Sequence, residues 1–543
     1  MALLRRPTQQ QFRYPSPIGG LNYVSSTISM PPTDCYLLDN FIPRMTGVEI
    51  RKGFKYWVPK ANQFPAEVRT IMVFNGANAN NNKLFCSTGE TSSPIYDITT
   101  GNTSPVLSYT PPVPPYVTGE WYYANFVTAG GAYLCIVAAG AGYFYWSENT
   151  NTWTKVPLGS QAGKVSFPDN SVLEDMAYIY AYKSRIWFIK RNSATAYYLP
   201  LGSITGATQL FDFGPLLRRG GNLSFLTSWT YDAGDGMDDA LVAGSYQGDM
   251  VVYTGTDPSS VATWSLQGLW YVGRMPYGRR NFARFGGDVV VLSEYGMFKV
   301  SEMVAGKMHT VEDTNSIAYK VNPKLAPAVT QYLNVPYWFM LVYATEDLLI
   351  IGAPYLNENI GIRQSFIMNA LTSGWATITV MEPYCADVFN GQLIYGGRDG
   401  NVYAGFYATN DATSSDELTL GDQVTGRFQT AFMDFQDGTK NKRMLRVKSY
   451  GQVDGIPSFY VTFKPEYELL ELINTGAPVS GPTSSWDQAL WDNVTWVQGL
   501  GSLHKWFGVA AFGKKLSMQM AIRGTGRVLL TDFEALFEMG IGL

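Results

Sequence analysis

Histidine is almost missing from this chain, which has two, His309 and His504, in 543 residues. Histidine is the most common general base and metal ligand. Neither residue belongs to an HxxxH or HExxH pattern. No G-x-S-x-G nucleophile elbow and no Walker A sequence is present. We therefore predict that the protein is not an enzyme and needs no cofactor.

Cysteine and charge are also scarce. The four cysteines, Cys35, Cys86, Cys135 and Cys385, form no CxxC pair, which is typical of a chain that folds in a reducing cytoplasm. Charged residues make up 15% of the chain and the net charge is −4, with no long basic block. Tight nucleic-acid binding through phosphate neutralisation is therefore not expected.

Targeting and membrane segments are not expected either. The first ten residues have no apolar core of the kind found in signal peptides. The longest uncharged stretch, residues 121–147, is interrupted by four glycines and rich in aromatic residues. We predict that it forms a hairpin, so that the protein does not insert into membranes.

Glycine and aromatic residues are abundant, with 54 Gly, 35 Tyr and 14 Trp. Apolar strand patterns separated by glycine turns indicate an all-β protein. From about residue 68 to residue 407, an apolar strand, a turn and an aromatic strand recur with a spacing of about 50 residues. The turn centres fall near residues 89, 142, 193, 248, 296, 357 and 400.

This period predicts a β-propeller of about seven blades, because blades recur every 40–50 residues and must stack to bury both faces. The third and sixth units lack a glycine turn, so six or eight blades fit as well. Ordinary hairpins in one or two sandwiches are the structural alternative.

Three segments are expected from the change of pattern along the chain. Residues 1–60 should pack on a platform domain, residues 61–425 should form the propeller, and residues 426–543 should form a β-sandwich platform completed by the N-terminal segment. Within the first segment, Asp34 is positioned to cap a short helical turn ending near Asn40.

One acidic cluster is a weak candidate for a cation site, because oxygen-rich loops bind calcium. Its members are Asp232, Asp235, Asp238 and Asp239. Their spacing does not match the EF-hand loop, and a glycine-permitted hairpin turn accounts for the same residues.

Three basic runs are candidates for salt bridges between subunits, where arginine is favoured. Solvated loop ends are the alternative interpretation. The candidates are Arg218, Arg219, Arg279, Arg280, Arg284, Lys440, Lys442 and Arg443.

Four groups of short stretches, spread over most of the chain, resemble a family of phage and prophage tail proteins. The first group comprises residues 19–22, 30–31, 38–43 and 48–53, and the second is residues 194–200. The third comprises residues 229–239, 253–258 and 286–288, and the fourth comprises residues 368–370, 374–375 and 395–397.

The resemblance implies a structural virion protein similar to the tail nozzle, or hub, of short-tailed phages. Six copies would form a ring below the portal and adaptor proteins, and DNA would pass through the shared lumen without sequence-specific binding. Tail fibres or a tail needle are further partners that it implies. The protein would assemble in the host cytoplasm and reside in the virion tail.

Within the first group of stretches, the resemblance makes four residues candidates for docking the adaptor: Asp39, Asn40, Phe41 and Arg51. The chain lacks the long insertions of larger nozzle proteins. One alternative function is a tail-tip propeller that binds a receptor or degrades a glycan, and another is a non-viral carbohydrate-binding propeller. A glycosidase would need two opposed carboxylates, which the sequence alone does not single out.

Overall fold

The prediction of an all-β propeller is confirmed by a computed structural model of the chain, in which strands make up 54% of the residues and helix 7%. The structure describes residues 9–101, 103, 105–109, 119–232, 237–307, 316–354, 356–357, 362–412, 421–454, 457–467, 501–524 and 526–540.

In these residues, seven antiparallel units of three or four strands follow one another along the chain, and we number them as blades 1 to 7. Blade 1 contains Val68–Phe74, Lys83–Thr88, Ile95–Asp97 and Pro105–Leu107. Blade 2 contains Tyr122–Thr128, Gly131–Ala138, Gly142–Ser147 and Thr152–Lys155. Blade 3 contains Met176–Tyr182, Arg185–Lys190, Thr195–Tyr198 and Gln209–Asp212. Blade 4 contains Leu223–Asp232, Met237–Ser245, Asp249–Gly255 and Trp264–Tyr271.

The remaining blades are less regular. Blade 5 has three described strands, Phe282–Phe285, Asp288–Ser293 and Gly296–Lys299. Blade 6 contains Phe339–Tyr343, Leu348–Gly352, Ser365–Asn369 and Trp375–Ile378. Blade 7 contains Cys385–Phe389, Gln392–Gly396, Val402–Ala408 and Gly53–Tyr56.

The first strands of neighbouring blades contact one another around an axis, except that the first strand of blade 4 contacts the second strand of blade 5. The first strand of blade 7 contacts that of blade 1. The ring is therefore closed. Its last blade takes its fourth strand, Gly53–Tyr56, from the N-terminal segment. Main-chain hydrogen bonds between this N-terminal strand and Val402–Ala408 complete the last blade and so stabilise the closed ring.

Blade 4 illustrates why the repeating pattern folds this way. Met250, Val251 and Val252 are all buried, because the strand packs between neighbouring blades. Gly248 precedes them at a turn with φ +95°, and a Cβ there would lie 2.3 Å from the carbonyl oxygen of Gly273. Glycine is the residue that such a turn requires.

Blade 6 does not end at its fourth strand. Its sheet continues through Gly20–Leu21, Asp34–Asp39, Val424–Thr430, Leu516–Gly524 and Ser458–Pro465, which makes nine strands in all. Gly20 pairs with Trp375 and has φ +73°, and a Cβ there would lie 2.4 Å from the Trp375 nitrogen. The propeller and the C-terminal region thus share one sheet.

A second sheet packs on this extension to form the sandwich. Its strands are Phe41–Arg44, Gly47–Ile50, Val528–Met539, Lys442–Val453 and Gly501–Gly513, with Gln9–Pro15 paired to Val528–Met539. Phe428 of the shared sheet meets Phe533 of the second sheet at a ring distance of 5.6 Å. One continuous hydrophobic core joins the sandwich to blades 5, 6 and 7.

The helical elements are short. The α-helices are Val300–Val304 and Asn322–Gln331, and the 3-10 turns are Lys60–Asn62, Ala79–Asn81, Leu173–Asp175, Gly214–Leu216, Tyr319–Val321 and Ala344–Glu346. Two small ladders pair Val165–Ser166 with Gly206–Ala207, and Leu356–Asn357 with Ile362–Arg363. In the described part of the chain, no helix has the length and apolar character needed to span a membrane.

The helical turn expected after Asp34 is wrong. Residues Asp34–Asp39 form a strand that pairs with Gly20–Leu21 on one side and with Val424–Thr430 on the other. The Asp34 carboxylate does not cap a helix but accepts hydrogen bonds from Asn22 and Lys320. Tertiary strand pairing outweighs the local capping preference here.

Candidate functional site

A buried ion pair lies where the propeller meets the sandwich. Arg51 is 2% exposed, and its two terminal nitrogens donate to the carboxylate oxygens of Asp411 over 2.8 and 2.7 Å. Its Nε donates to the side-chain oxygen of Asn40 over 2.8 Å. The paired fork geometry satisfies both charges inside the protein, where a single charge would be costly.

Asn40 extends this contact to two further elements. Its amide nitrogen donates to the hydroxyl of Thr379 and to the carbonyl of Thr425. Asn40 has φ +57°, in the left-handed region that asparagine tolerates better than most residues. The N-terminal segment, blade 6 and the sandwich are therefore bonded together at one residue.

Asp39 is buried in the same network without a direct cation partner. It accepts hydrogen bonds from the hydroxyls of Thr377 and Thr379 over 3.2 and 2.9 Å. Burial raises the pKa of Asp39 to about 6, although these hydrogen bonds and the nearby charges of Arg427 and Arg51 oppose the rise.

A cleft of about 640 Å³ opens beside this network, between the propeller and the second sandwich sheet. Glu346 in its wall accepts hydrogen bonds from Arg44 and, over 2.6 Å, from Lys52. Burial alone would raise the pKa of Glu346, but these hydrogen bonds outweigh it and lower the pKa. Glu49 bonds to Arg44 and Arg527, so the charges in the wall are matched.

The four adaptor-docking candidates all lie inside this junction. Asp39, Asn40, Phe41 and Arg51 are at most 4% exposed. A residue that is buried within its own chain offers no surface to a partner. As docking residues these four predictions are wrong, and we assign them instead to the joint between the two domains. Sequence reasoning missed Thr377, Thr379 and Asp411, which complete the joint.

The second notable region is the axis of the propeller, which side chains cross. Arg280 reaches from the start of blade 5 to the carbonyl of Trp121 over 3.0 Å and to the hydroxyl of Thr70 over 3.3 Å. The hydroxyl of Tyr123, in blade 2, donates to Asp387 in blade 7. These contacts close the axis to anything larger than a small molecule.

Two cavities, of about 190 and 180 Å³, remain on the axis and share Tyr122 and Arg279 in their walls. Each contains one carboxyl group, from Glu120 in the first and from Asp387 in the second. Burial raises the pKa of both carboxyl groups, and the charge of Arg280 opposes both rises.

The basic runs fall into two groups. Arg279, Arg280, Arg284 and Lys442 make contacts within their own chain. Arg284 donates to Ser228 of the neighbouring blade 4 over 2.9 Å, and Lys442, which is fully buried, donates to the carbonyl of Lys514. The interface prediction is therefore wrong for Arg279 and Lys442, which are buried. For Arg280, which is half-buried, and Arg284, which is exposed, it stays a prediction.

Arg218, Arg219, Lys440 and Arg443 are exposed. Arg219 stacks on the Tyr271 ring and Lys440 pairs with Asp437 over 3.0 Å. For these four residues a role at a subunit interface stays a prediction.

The acidic cluster is described only in part. The side chain of Asp232 and all of Asp235 lie outside the described residues. Asp238 pairs with Lys183 over 2.7 Å, and Asp239 accepts a hydrogen bond from Thr230. Among the described side chains, no group of three or more His, Cys, Asp or Glu residues is close enough to hold a metal ion.

The remaining reactive residues have simple surroundings. His309 lies outside the described residues, and His504 is exposed on the sandwich, with its ring 5.5 Å from that of Tyr450. The four cysteines are buried and free. Burial raises the pKa of Cys135 and of Cys385 to about 12, so that these thiols stay protonated at neutral pH.

The fold and these two regions define an all-β protein in which a propeller and a sandwich share one sheet. No protein-family model matches the chain, and no curated protein does either. Among solved structures, it is similar to the β-propeller domain of Myceliophteria thermophila Cps50 (Swd1), at 10% identity and a TM-score of 0.38, over 66% of this chain and 99% of that one. It is also similar to the computationally designed Ika8 protein, at 10% identity and a TM-score of 0.34, over 68% and 96%. These likenesses concern the fold alone.

Proposed function

We propose that the chain is a structural subunit of a virion tail, of the nozzle or hub type, and that six copies form a ring around the DNA channel. The proposal starts from the family resemblance. The observation that carries it furthest is the construction of the joint, in which the first group of family-like stretches supplies strands to both the propeller and the sandwich.

A ring under DNA pressure needs subunits that do not hinge. Here the two domains share a nine-stranded sheet, a hydrophobic core and a buried ion pair. Relative motion between domains is the default when their interface is small and polar. A shared sheet and core oppose that motion, as the role requires.

The closed axis bears on where DNA would pass. Arg280, Tyr123 and Asp387 cross the centre of the propeller, so a duplex could not pass through it. A DNA channel would have to lie between subunits. Closed cyclic symmetry, with a heterologous interface between neighbours, provides such a lumen.

The adaptor, and fibres or a needle, are the partners that the proposal implies. Its docking surface is not formed by Asp39, Asn40, Phe41 or Arg51, because they are buried. The candidates for contacts with neighbouring subunits that remain are Arg218, Arg219, Arg280, Arg284, Lys440 and Arg443.

The test is to delete the coding sequence from the virus or prophage that carries it and to image the particles. We expect heads without a complete tail, and recovery when the chain is supplied from a plasmid. Complete tails in the deletion strain would contradict the proposal. A complementing variant with Arg218→Glu and Arg219→Glu then tests one predicted interface, with Lys505→Glu, at an exposed position of the sandwich, as the control.

A further inference from the structure

Arg279 is held in an unusual way on the propeller axis. Its Nη1 donates to the carbonyl oxygens of Leu223 and Ser224 over 2.9 and 2.7 Å. These bonds fix the guanidinium in the wall that the 190 and 180 Å³ cavities share. The residue is 7% exposed and its Cζ lies 5.7 Å from the centre of the Tyr246 ring, while no described group accepts a hydrogen bond from Nε or Nη2.

No carboxylate balances this charge directly. In the described part of the chain, neither Arg279 nor the adjacent Arg280 forms an ion pair, whereas Arg44 and Arg51 at the junction both do. Nε–H and Nη2–H form one edge of the guanidinium, and this edge matches the two oxygens of a carboxylate or phosphate. A buried arginine with a vacant fork is the expected form of an anion site.

The other walls of the cavity indicate the rest of the ligand. Tyr246 and Tyr277 stack with their rings 6.0 Å apart, and with Tyr122 they provide aromatic surface. Glu120 and Asn192 add groups that can bond to hydroxyls. Tyr277 is 40% exposed, so the cavity reaches the protein surface.

The size and charge of the cavity narrow the class of ligand. About 190 Å³ is smaller than the ~300–1,000 Å³ of pockets for drug-sized ligands. The walls carry Arg191 and Arg279 against Glu120, a net single positive charge that suits a monoanion better than a dianion such as phosphate. Aromatic walls and hydroxyl-bonding groups suit a sugar ring better than a bare ion.

We propose that this axial pocket binds a carboxylate-bearing monosaccharide, a uronic acid in chemical class, with Arg279 holding the carboxylate. Tyr122, Tyr246 and Tyr277 contact the ring, and Glu120 and Asn192 bond to its hydroxyls. The site is independent of the proposed tail role, because it lies within one chain and needs no neighbouring subunit.

The test is calorimetric titration of the whole purified chain with glucuronate, with glucose and inorganic phosphate as the comparison ligands. We expect saturable binding of glucuronate at a 1:1 ratio, with much weaker binding of the other two. Glucose binding as tightly as glucuronate would overturn the role of the carboxylate. Phosphate binding more tightly than glucuronate would contradict the claim that the ligand is a sugar. The absence of saturable glucuronate binding would contradict the claim that the pocket is a binding site.

Two variants test the assignment of residues. Arg279→Met should weaken glucuronate binding by about tenfold or more, the loss expected for a hydrogen bond to a charged group. Arg185→Met, at a half-buried arginine away from the pocket, should leave it unchanged. Unchanged binding by a folded Arg279→Met protein would refute the proposal.

Glu120→Gln provides a readout that does not depend on Arg279→Met folding. Gln keeps an oxygen that accepts a hydrogen bond from a sugar hydroxyl but removes the negative charge beside the bound carboxylate, so glucuronate binding should strengthen severalfold at pH 7. Weaker binding by this variant, with an unchanged melting temperature, would contradict the proposed arrangement.

Discussion

The joint between the domains and the axis of the propeller both contain buried arginines, but the guanidinium groups have different partners in the two places. At the joint, Arg51 is matched by Asp411 and Arg44 by Glu49 and Glu346. On the axis, Arg279 and Arg280 bond to main-chain carbonyls and a hydroxyl. Paired charges hold two elements of the fold together, whereas an arginine without a counter-charge still has N–H groups that can bind an anionic ligand.

The largest effect should come from breaking the matched pair. Asp411→Ala leaves the guanidinium of Arg51 buried without a counter-charge, which costs about 3–5 kcal/mol. Denaturant unfolding measures the loss. Asp532→Ala, in the exposed pair with Arg13, is the control and should cost far less. Equal losses in the two variants would mean that Arg51–Asp411 is not the anchor of the joint.

Asp39 should make the joint sensitive to pH. Its pKa rises from 3.8 to about 6 on folding, so the folded state holds the proton more tightly than the unfolded state. The stability that this proton confers is present at low pH and is lost as pH rises from about 4 to 6, by roughly 3 kcal/mol.

Asp39→Asn has no such proton to lose. Unfolding free energies measured from pH 4 to 7 should therefore fall less steeply with rising pH in this variant than in the wild type. Parallel pH profiles would show that Asp39 does not titrate as described.

An axial arginine should matter less for stability than one at the joint. Arg279→Met removes two hydrogen bonds to carbonyls, at a cost of about 1–3 kcal/mol, and leaves no charge behind. Arg51→Met leaves the carboxylate of Asp411 buried without a counter-charge, so it should lower the free energy of unfolding by more. The two variants can be compared by the same denaturant titration, and a larger loss for Arg279→Met would reverse the comparison.

Replacing Glu346 should have the smallest effect on the free energy of unfolding, with a pH dependence opposite to that of Asp39. Its pKa is lowered on folding, so its contribution is present above its ordinary pKa of 4.5 and is lost as pH falls through the lowered value. Glu346→Gln should cost about 1 kcal/mol at pH 7, because its partners Arg44 and Lys52 are partly exposed and Arg44 keeps its pair with Glu49. It should cost nothing at a pH below both values, and a constant cost across this range would contradict the assignment.

The repeating part of the fold was predictable because strand alternation and turn glycines are local signals. The turns at Gly248 and Gly296 lie where the pattern put them, each with positive φ. The strand Gly53–Tyr56 was not recognised as part of blade 7. Its partner strand is Val402–Ala408, and nothing local indicates so distant a pairing.

The candidate site was harder to predict, because burial of a polar residue depends on distant partners. Arg51 and Asp411 are 360 positions apart, and Asp39 lies 340 positions from Thr379. In the sequence, Asp39, Asn40 and Arg51 lie in a motif that resembles a known family, and nothing local shows that they are buried rather than available for docking.

For Arg279 a usable signal existed. The Arg-Arg pair directly precedes the first strand of a repeat, and first strands line the axis of the ring. This position predicts that Arg279 and Arg280 face the axis and not the outer surface.

Cryo-electron microscopy of the virion tail tests the central claim most directly. We expect six copies of this chain in a closed ring, with the DNA channel between subunits and each propeller axis blocked. A tail without this chain would contradict it, as would single copies at the tip or DNA density through a propeller.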